Sequence, residues 1–564
     1  PEKATKEKPL TITLRYGERL TKGGMLDRAE IQQHVLKLDP HQQFQTDTYV
    51  LNGQTPTNVP RFCYHGFQYV EVTGFPGTPT PGNFRGVFIH SAVEPRGEFE
   101  CSNPLFNKIW RASRWSYLSN LQGIPTDCPH REKNGWTGDA HLAAEQGLFN
   151  FQPEGVYTKW INDLADEQQP GGELPGIVPT SGWGYKWGNG PAWDSAFLQI
   201  PFYMYQYSGD ARILTEHYRG LKRYVDYLTS KAKDGIVSIG LPDWAPFETK
   251  TPADITSTAY YYRDAQIVAL SAQLLAEDQS ASGALDYSAE ARKYSALAQT
   301  INAGFNRKFY NPTTGLYGNG SQTSLSCALY HGLVEPQNQP RVLSNLVAAV
   351  EKRNWHIDTG ILGAKYLLNA LLENGRADVA FRVASQKDLP SWGWWFEQGA
   401  TTLWEQWNGT ESRNHIMFGD ISAWFYKAIA GINPGENFVA NSAGGPPENP
   451  STHSTAFKHF IIKPNVVGDL TWAKATYDSA RGPISSEWKR TSRELTLNVT
   501  LPANTTATVW LPCHEAQAIS EGGKPIATVE GIHSAVRNPQ SAIENGWVRL
   551  EVGSGTYHFK CTLP

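Results

Sequence analysis

Two segments concentrate the groups able to do acid–base chemistry. The first, GIPTDCPHREKNGWTGD (residues 123–139), places Asp127, Arg131, Glu132, Trp136 and Asp139 within one short loop framed by Gly and Pro. Acids this close raise one another's pKa, and a carboxyl kept protonated near neutral pH is what a general acid requires. Taken alone, the same residues also describe a salt-bridged loop stapling two helices. The second segment, LPSWGWWFEQGATTLWEQWNGTESRNH (389–415), carries Glu397, Glu405, Glu411, five Trp and His415. Glu405 stands between Trp404 and Trp407, and a carboxylate among indoles is either a costly structural choice or a poised base. Core packing for Trp392–Trp395 and a satisfied core histidine at 415 are the plainer readings of the rest.

Two further loops repeat the pairing of Trp with an acid: GWGYKWGNGPAWD (Trp183, Trp187, Trp193, Asp194) and LPDWAPFE (Asp243, Trp244). Trp offers a rigid apolar face with a polar edge, suited to the C–H faces of sugar rings. Four such loops, one after every few helices, predict convergence on a sugar-sized site. Two carboxylic acids facing each other across a pyranose are what glycoside hydrolysis needs. No GxSxG, HExxH, P-loop or strand–GxGxxG–helix pattern supports a serine hydrolase, zincin, NTPase or dinucleotide enzyme. The six Cys are scattered without a CxxC pair, so no metal site and no cofactor is expected.

The elements that must position these loops fall into three blocks. Residues 1–100 read as strands (LTITLRY, TDTYVL, QYVEVTGF, FRGVFIHSAV) between Gly, Pro and Asn turns. From 101 to 435 apolar residues recur at three- and four-residue spacing, predicting ten to twelve helices and an all-α array, a solenoid or a closed toroid. After GINPGENF strand patterns return through 436–564, with NSAGGPPENPSTHS as a linker. Fifteen of the 19 Trp fall between Trp110 and Trp424, inside the helical block. The chain has 564 residues, 50 Lys+Arg against 54 Asp+Glu, and only 18% charged residues. That balance disfavours a nucleic-acid partner, and no run approaches the roughly 18 apolar residues of a membrane insertion.

At these residues the sequence resembles the bacterial α-L-rhamnosidases of glycoside hydrolase family 78. TDCPHREKNGWTGD is similar to that family's acid-bearing loop, GATTLWEQW to its base-bearing segment, and SRNHIMFGDISAWFYKAIAGI to the stretch that follows. YGERL, FQTDTYVLNG and RFCYHGFQYVEVTGF resemble the β domain before the catalytic domain. The resemblance implies an (α/α)6 toroid flanked by N-terminal and C-terminal β-sandwich domains, and inverting removal of terminal α-L-rhamnose from a small molecule or oligosaccharide. By the same match Glu132 is the general acid and Glu405 the general base. Asp127, Arg131, Asp139 and His415 contact the sugar, and Trp136, Trp193 and Trp244 form an aromatic wall on its methyl side. Inversion leads one to expect the two carboxyls about 6.5–9.5 Å apart. A rhamnosidase specialised for an algal (ulvan) or pectic polysaccharide, and a non-catalytic rhamnose-binding relative, are the alternatives. Two further expectations are a β domain whose upstream half lies before Pro1, and a periplasmic or extracellular location, with a cytoplasmic one as the alternative.

Overall fold

In the computed structural model the described residues are 4–5, 8–29, 44–53, 60–180, 182–278, 285–435, 455–529, 532, 543–544 and 546–563. The linker expected at 441–454 and the boundary expected at 436 lie outside them. Near the N-terminus, Leu10–Gly17 is the centre of a three-stranded antiparallel sheet, flanked by Thr46–Leu51 and Tyr69–Thr73. The expected fourth strand, FRGVFIHSAV, does not form. Residues 84–94 run without strand partners, and Val87, Phe88 and Ile89 are exposed.

A strand at the end of the N-terminal block, not singled out in the sequence, belongs to a different sheet. Gly97–Cys101 pairs antiparallel with Trp472–Ser479 at the edge of a seven-stranded sheet otherwise built from the C-terminal region. A five-stranded sheet, from Ile432–Asn433 to Trp547–Val552 and Ile543–Glu544, accompanies it. Burial alternates along these strands, as in Trp472–Ser479, so each sheet turns one apolar face inward. The C-terminal sheets are tied to the end of the helical domain. Trp488 donates its indole N–H to the Ile429 carbonyl (2.8 Å), and the Ser486 hydroxyl donates to that of Ala430 (2.7 Å).

Between the sheets the chain forms six helical pairs that alternate outer and inner positions. The outer helices are Pro104–Ser119, Glu154–Glu167, Tyr218–Lys231, Tyr287–Phe309, Gln339–Lys352 and Ala377–Ala384, each burying one face. The inner ones are Thr137–Leu142 with Ala144–Asn150, Ala196–Ser208, Ala253–Glu277, Gln322–Tyr330, Ile361–Glu373, and Ile421–Trp424 continued by a π turn. Inner helices are buried nearly all round, so their polar side chains find partners on the neighbouring inner helix. Lys365 reaches Asp420 (2.6 Å), Lys427 reaches Glu145 (2.9 Å), and Asp264 accepts from Ser195 and Gln199. The first outer helix meets the last inner one where Trp110 donates to the Tyr426 hydroxyl (3.2 Å), which closes the ring. No helix among the described residues is long and apolar enough to cross a membrane.

At one end of the toroid the connecting loops hold one another in sequence. The Asn120 amide donates to the Asn414 carbonyl (3.3 Å), and Val178 N–H to the Gly135 carbonyl (2.9 Å). A Cβ on Gly190 would fall 2.3 Å from Gly240 Cα, so only glycine permits that crossing. Ile361 N–H donates to the Trp244 carbonyl (2.9 Å), and Trp407 donates to the Thr359 carbonyl (2.8 Å). Asp243 pins this arrangement by accepting from Gly360 N–H (2.7 Å), Leu362 N–H (2.8 Å) and the Thr323 hydroxyl (2.7 Å) at the start of an inner helix. Asp243→Ala strands those donors. The expected cost is about 2–4 kcal/mol, read as a lowered midpoint of thermal unfolding; an unchanged midpoint contradicts this role.

Candidate active site

Loop 123–139 is shaped by its own acids and glycines. Asp127 Oδ1 accepts from Asn134 N–H (2.8 Å) while Asp127 N–H donates to the Asn134 carbonyl (3.0 Å), which folds the loop into a closed turn. That turn presents Arg131 and Glu132 from its middle and delivers Trp136 to the start of the helix bearing Asp139. Trp136 donates its indole N–H to Glu132 Oε2 (2.8 Å). The second segment is a returning loop in which Glu405 N–H donates to the Ser412 carbonyl (2.9 Å) and His415 N–H to the Leu403 carbonyl (2.9 Å). The ten-residue connection therefore brings His415 back beside Glu405.

The two loops meet at Arg131, which is 1% exposed. Its guanidinium donates to Glu405 Oε2 (2.6 Å), forms a very short bond to Glu411, and lies 3.4 Å from Glu132 Oε1. Burial opposes the charge on Arg131, but Glu405 above all, then Cys128, Glu132 and Glu411, hold its pKa above the ordinary value. One guanidinium nitrogen, Nη2, makes both the Glu405 and the Glu132 contacts. The two contacted oxygens are thus no farther apart than 2.6 Å and 3.4 Å laid end to end.

Around this centre, His415 Nε2 is 3.6 Å from Asp139 Oδ1 and 3.8 Å from Asp127 Oδ2, and its Nδ1 is 3.8 Å from Glu405 Oε2. Burial, then the Arg131 charge, push His415 down to about 3, so it is neutral. Burial also pushes Asp127 and Asp139 well above the carboxylate range; the charges of Glu132 and Asp139 add to it for Asp127, and those of Glu405 and Glu132 for Asp139. The raised acids anticipated for this loop are these two aspartates. Three buried polar atoms here have no hydrogen-bond partner: Arg131 Nε, Asp139 Oδ1 and His415 Nδ1. Sugar hydroxyls, each able to donate and accept, are groups that satisfy such atoms.

Asp127, Arg131, Glu132, Trp136, Asp139, Glu405 and His415 thus form one cluster. Trp193 lies behind the Asp139 helix, where a Cβ on Gly138 would fall 2.6 Å from its indole nitrogen. Trp244 is 38% exposed and joins the others through the ring of loops. Trp392, Trp395 and Trp407 are core, with Trp395 stacked on Trp407 at 4.9 Å, and Glu397 is exposed. Asp127, Cys128 and His415 bring donor atoms close enough for a metal. The Cys128 thiol donates to Asp127 (3.0 Å), and burial and the Asp127 charge raise its pKa well above the ordinary value.

Sequence reasoning missed Glu18. From the strand end in YGERL it reaches the cluster, where Oε2 accepts from Arg413 N–H (2.7 Å) and lies 3.6 Å from His130 Nδ1. It therefore braces both loops, on the residues next to Ser412 and Arg131. A separation of 395 residues leaves no local signal for that contact.

Six helical hairpins closing around a mouth of acids and indoles define the class of six-hairpin glycosidases. Residues 94–429 match the bacterial alpha-L-rhamnosidase 6 hairpin glycosidase domain, 3–90 the concanavalin-like domain and 448–525 the C-terminal domain of the same proteins. The chain belongs to the bacterial α-L-rhamnosidase family. It is 31% identical to an alpha-L-rhamnosidase of Streptomyces avermitilis over 97% of this chain and 49% of that protein. It is 30% identical to one from Formosa agariphila over 95% and 54%. The solved alpha-L-rhamnosidase from Dictyoglumus thermophilum superposes with a TM-score of 0.85 at 35% identity, covering 99% of this chain and 60% of that one. The S. avermitilis enzyme complexed with L-rhamnose gives 0.84 at 30%, covering 99% and 50%. The chain spans about half the length of the curated relatives it matches.

Burial pushes the Glu18 carboxyl up to about 7, against the lowering effect of its bond from Arg413 N–H. A folded-state pKa above the unfolded one favours the protonated form in the native state. The stabilisation is complete below pH 4.5 and is lost as pH rises through 7. Glu18→Gln keeps an acceptor without the charge, so its thermal midpoint is expected to fall less than that of the parent between pH 5 and pH 8. Parallel declines in the two proteins contradict the assignment.

Proposed function

We propose that the chain is the catalytic body of an exo-acting α-L-rhamnosidase, with Glu132 as general acid and Glu405 as general base. The observation that carries this is the buried meeting of Glu132 and Glu405 on Arg131, ringed by polar atoms of Asp139, His415 and Arg131 that lack partners. Glu405 Oε2 accepts from the Arg131 guanidinium and from the Ser412 N–H (3.1 Å), which fixes the orientation of the carboxyl. Glu132 is oriented by the Trp136 indole N–H.

In the reaction, Glu405 takes a proton from a water as its oxygen bonds to the anomeric carbon. The bond from that carbon to the leaving oxygen breaks, and the leaving oxygen receives the Glu132 proton. Asp127, Asp139 and neutral His415 engage the sugar hydroxyls; the raised aspartates can donate as well as accept. Trp136 and Trp244 face the apolar methyl side, and Trp193 supports the Asp139 helix from behind. Inversion is the course the family resemblance implies, and the close approach of the Glu132 and Glu405 oxygens makes the anomer of the product its decisive readout.

Glu132→Gln and Glu405→Gln are each expected to lower kcat on an aryl α-L-rhamnoside by roughly 10²–10⁴-fold, with circular dichroism showing that the toroid is still folded. Full turnover by both variants rejects the roles. NMR during early turnover should show β-L-rhamnose first; α-L-rhamnose first means retention. Cleavage of an aryl α-glucoside in preference to the rhamnoside rejects the sugar assignment.

A further inference from the structure

The loop between Thr180 and Asp194 holds two tryptophans outside the cluster described above. Trp187 is 47% exposed, yet it is not a loose surface side chain. Trp183 stacks on it with ring centroids 5.2 Å apart and planes at 27°, and Trp136 meets it edge to face at 5.5 Å. The loop beneath is fixed. The Tyr185 hydroxyl donates to the Glu167 carbonyl (2.7 Å), and a Cβ on Gly176 would fall 1.9 Å from the Gly188 carbonyl. Gly188 has φ +78°, and a Cβ there would lie 2.7 Å from the far edge of the Trp136 ring. An exposed indole that is backed by a second indole and set on a clamped, glycine-shaped loop is preorganised to receive a flat apolar surface.

Its position assigns what that surface belongs to. Glu132 delivers its proton to the leaving oxygen, so the leaving group emerges on the Glu132 side. Trp136 is bonded to Glu132 through its indole nitrogen and touches Trp187 through its ring, so Trp187 is the next aromatic outward from the acid. Resting on the rhamnosidase reading above, we propose that Trp187, backed by Trp183, is the binding platform for the leaving group, and that the enzyme prefers rhamnosides whose leaving group carries a flat apolar face. Such a face is either an aromatic ring or the C–H face of a second sugar.

The test compares the parent chain with Trp187→Ala and Trp187→Phe on three substrates: methyl α-L-rhamnoside, 4-methylumbelliferyl α-L-rhamnoside and an α-L-rhamnosyl-glucose disaccharide. Trp187→Ala is expected to lose about tenfold or more in kcat/KM on at least one of the two flat leaving groups, mostly through KM, as stacking energies of this kind imply. Its loss on the methyl rhamnoside should stay within about twofold, since nothing there can stack. Trp187→Phe should recover most of the difference, and inhibition by free L-rhamnose should be unchanged in both variants. Loss on the aromatic substrate alone assigns an aromatic leaving group; loss on the disaccharide alone assigns a sugar; loss on both supports the shared face. An equal loss on all three substrates, or none on any, overturns the proposal while leaving the rhamnosidase reading intact. A parent chain that cleaves none of the three fails at the earlier reading.

Discussion

A single buried guanidinium sets the terms for the rest of the molecule. Arg131 contacts Glu132, Glu405 and Glu411, and its charge also lowers the basicity of His415. A buried charge is tolerable only with close, well-oriented partners, and removing any one leaves the others exposed to the same desolvation cost. Arginine suits this position because its planar fork presents several fixed donors at once, whereas lysine offers one compact charge. The surrounding acids are then separated by environment. Glu405 is held directly on the guanidinium, while burial makes Asp127 and Asp139 easier to protonate.

The architecture reads as a means of supplying that meeting point. Arg131 and Glu405 come from loops that are neighbours only because the toroid closes, bringing the Asn120 loop against Asn414. Closure in turn depends on the first outer helix reaching the last inner one through Trp110 and Tyr426, and on the C-terminal sheets holding the π turn after Trp424. Gly97–Cys101 and Trp472–Ser479 join chain segments from either side of the helical domain in one sheet, so the two ends of the toroid are fixed to a common frame. The N-terminal sheet contributes Glu18 directly to the loops that carry His130 and Arg413 and is more than an appendage to them.

How much of this was legible in the sequence follows from the range of each interaction. The 123–139 cluster and the Glu405–His415 segment could be read because their members are near neighbours and their indoles and acids are dense. The inner and outer helices carried the helical period. Strand membership was harder. GEFEC alternates as any half-buried strand does, so nothing local told the N-terminal sheet from the C-terminal one. FRGVFIHSAV has strand composition but finds no partner, since strands are made by pairing and not by propensity alone. Glu411 was noticed as an acid without a role, because its contact with Arg131 requires the loop to return on itself. Glu18 and the edge-to-face contact of Trp187 with Trp136 are tertiary facts with no counterpart in spacing.

The central claim is that a planar, multiply bonded cation at position 131 organises both carboxylates proposed to act in catalysis, Glu132 and Glu405. Steady-state turnover of Arg131→Lys on an aryl α-L-rhamnoside tests it most directly, with circular dichroism to establish that the toroid is folded. The account predicts a loss of about 10²-fold or more in kcat despite the retained charge, because an ammonium cannot span the three carboxylates. Turnover within about twofold of the parent would mean that position 131 supplies only a positive charge, and would contradict the account.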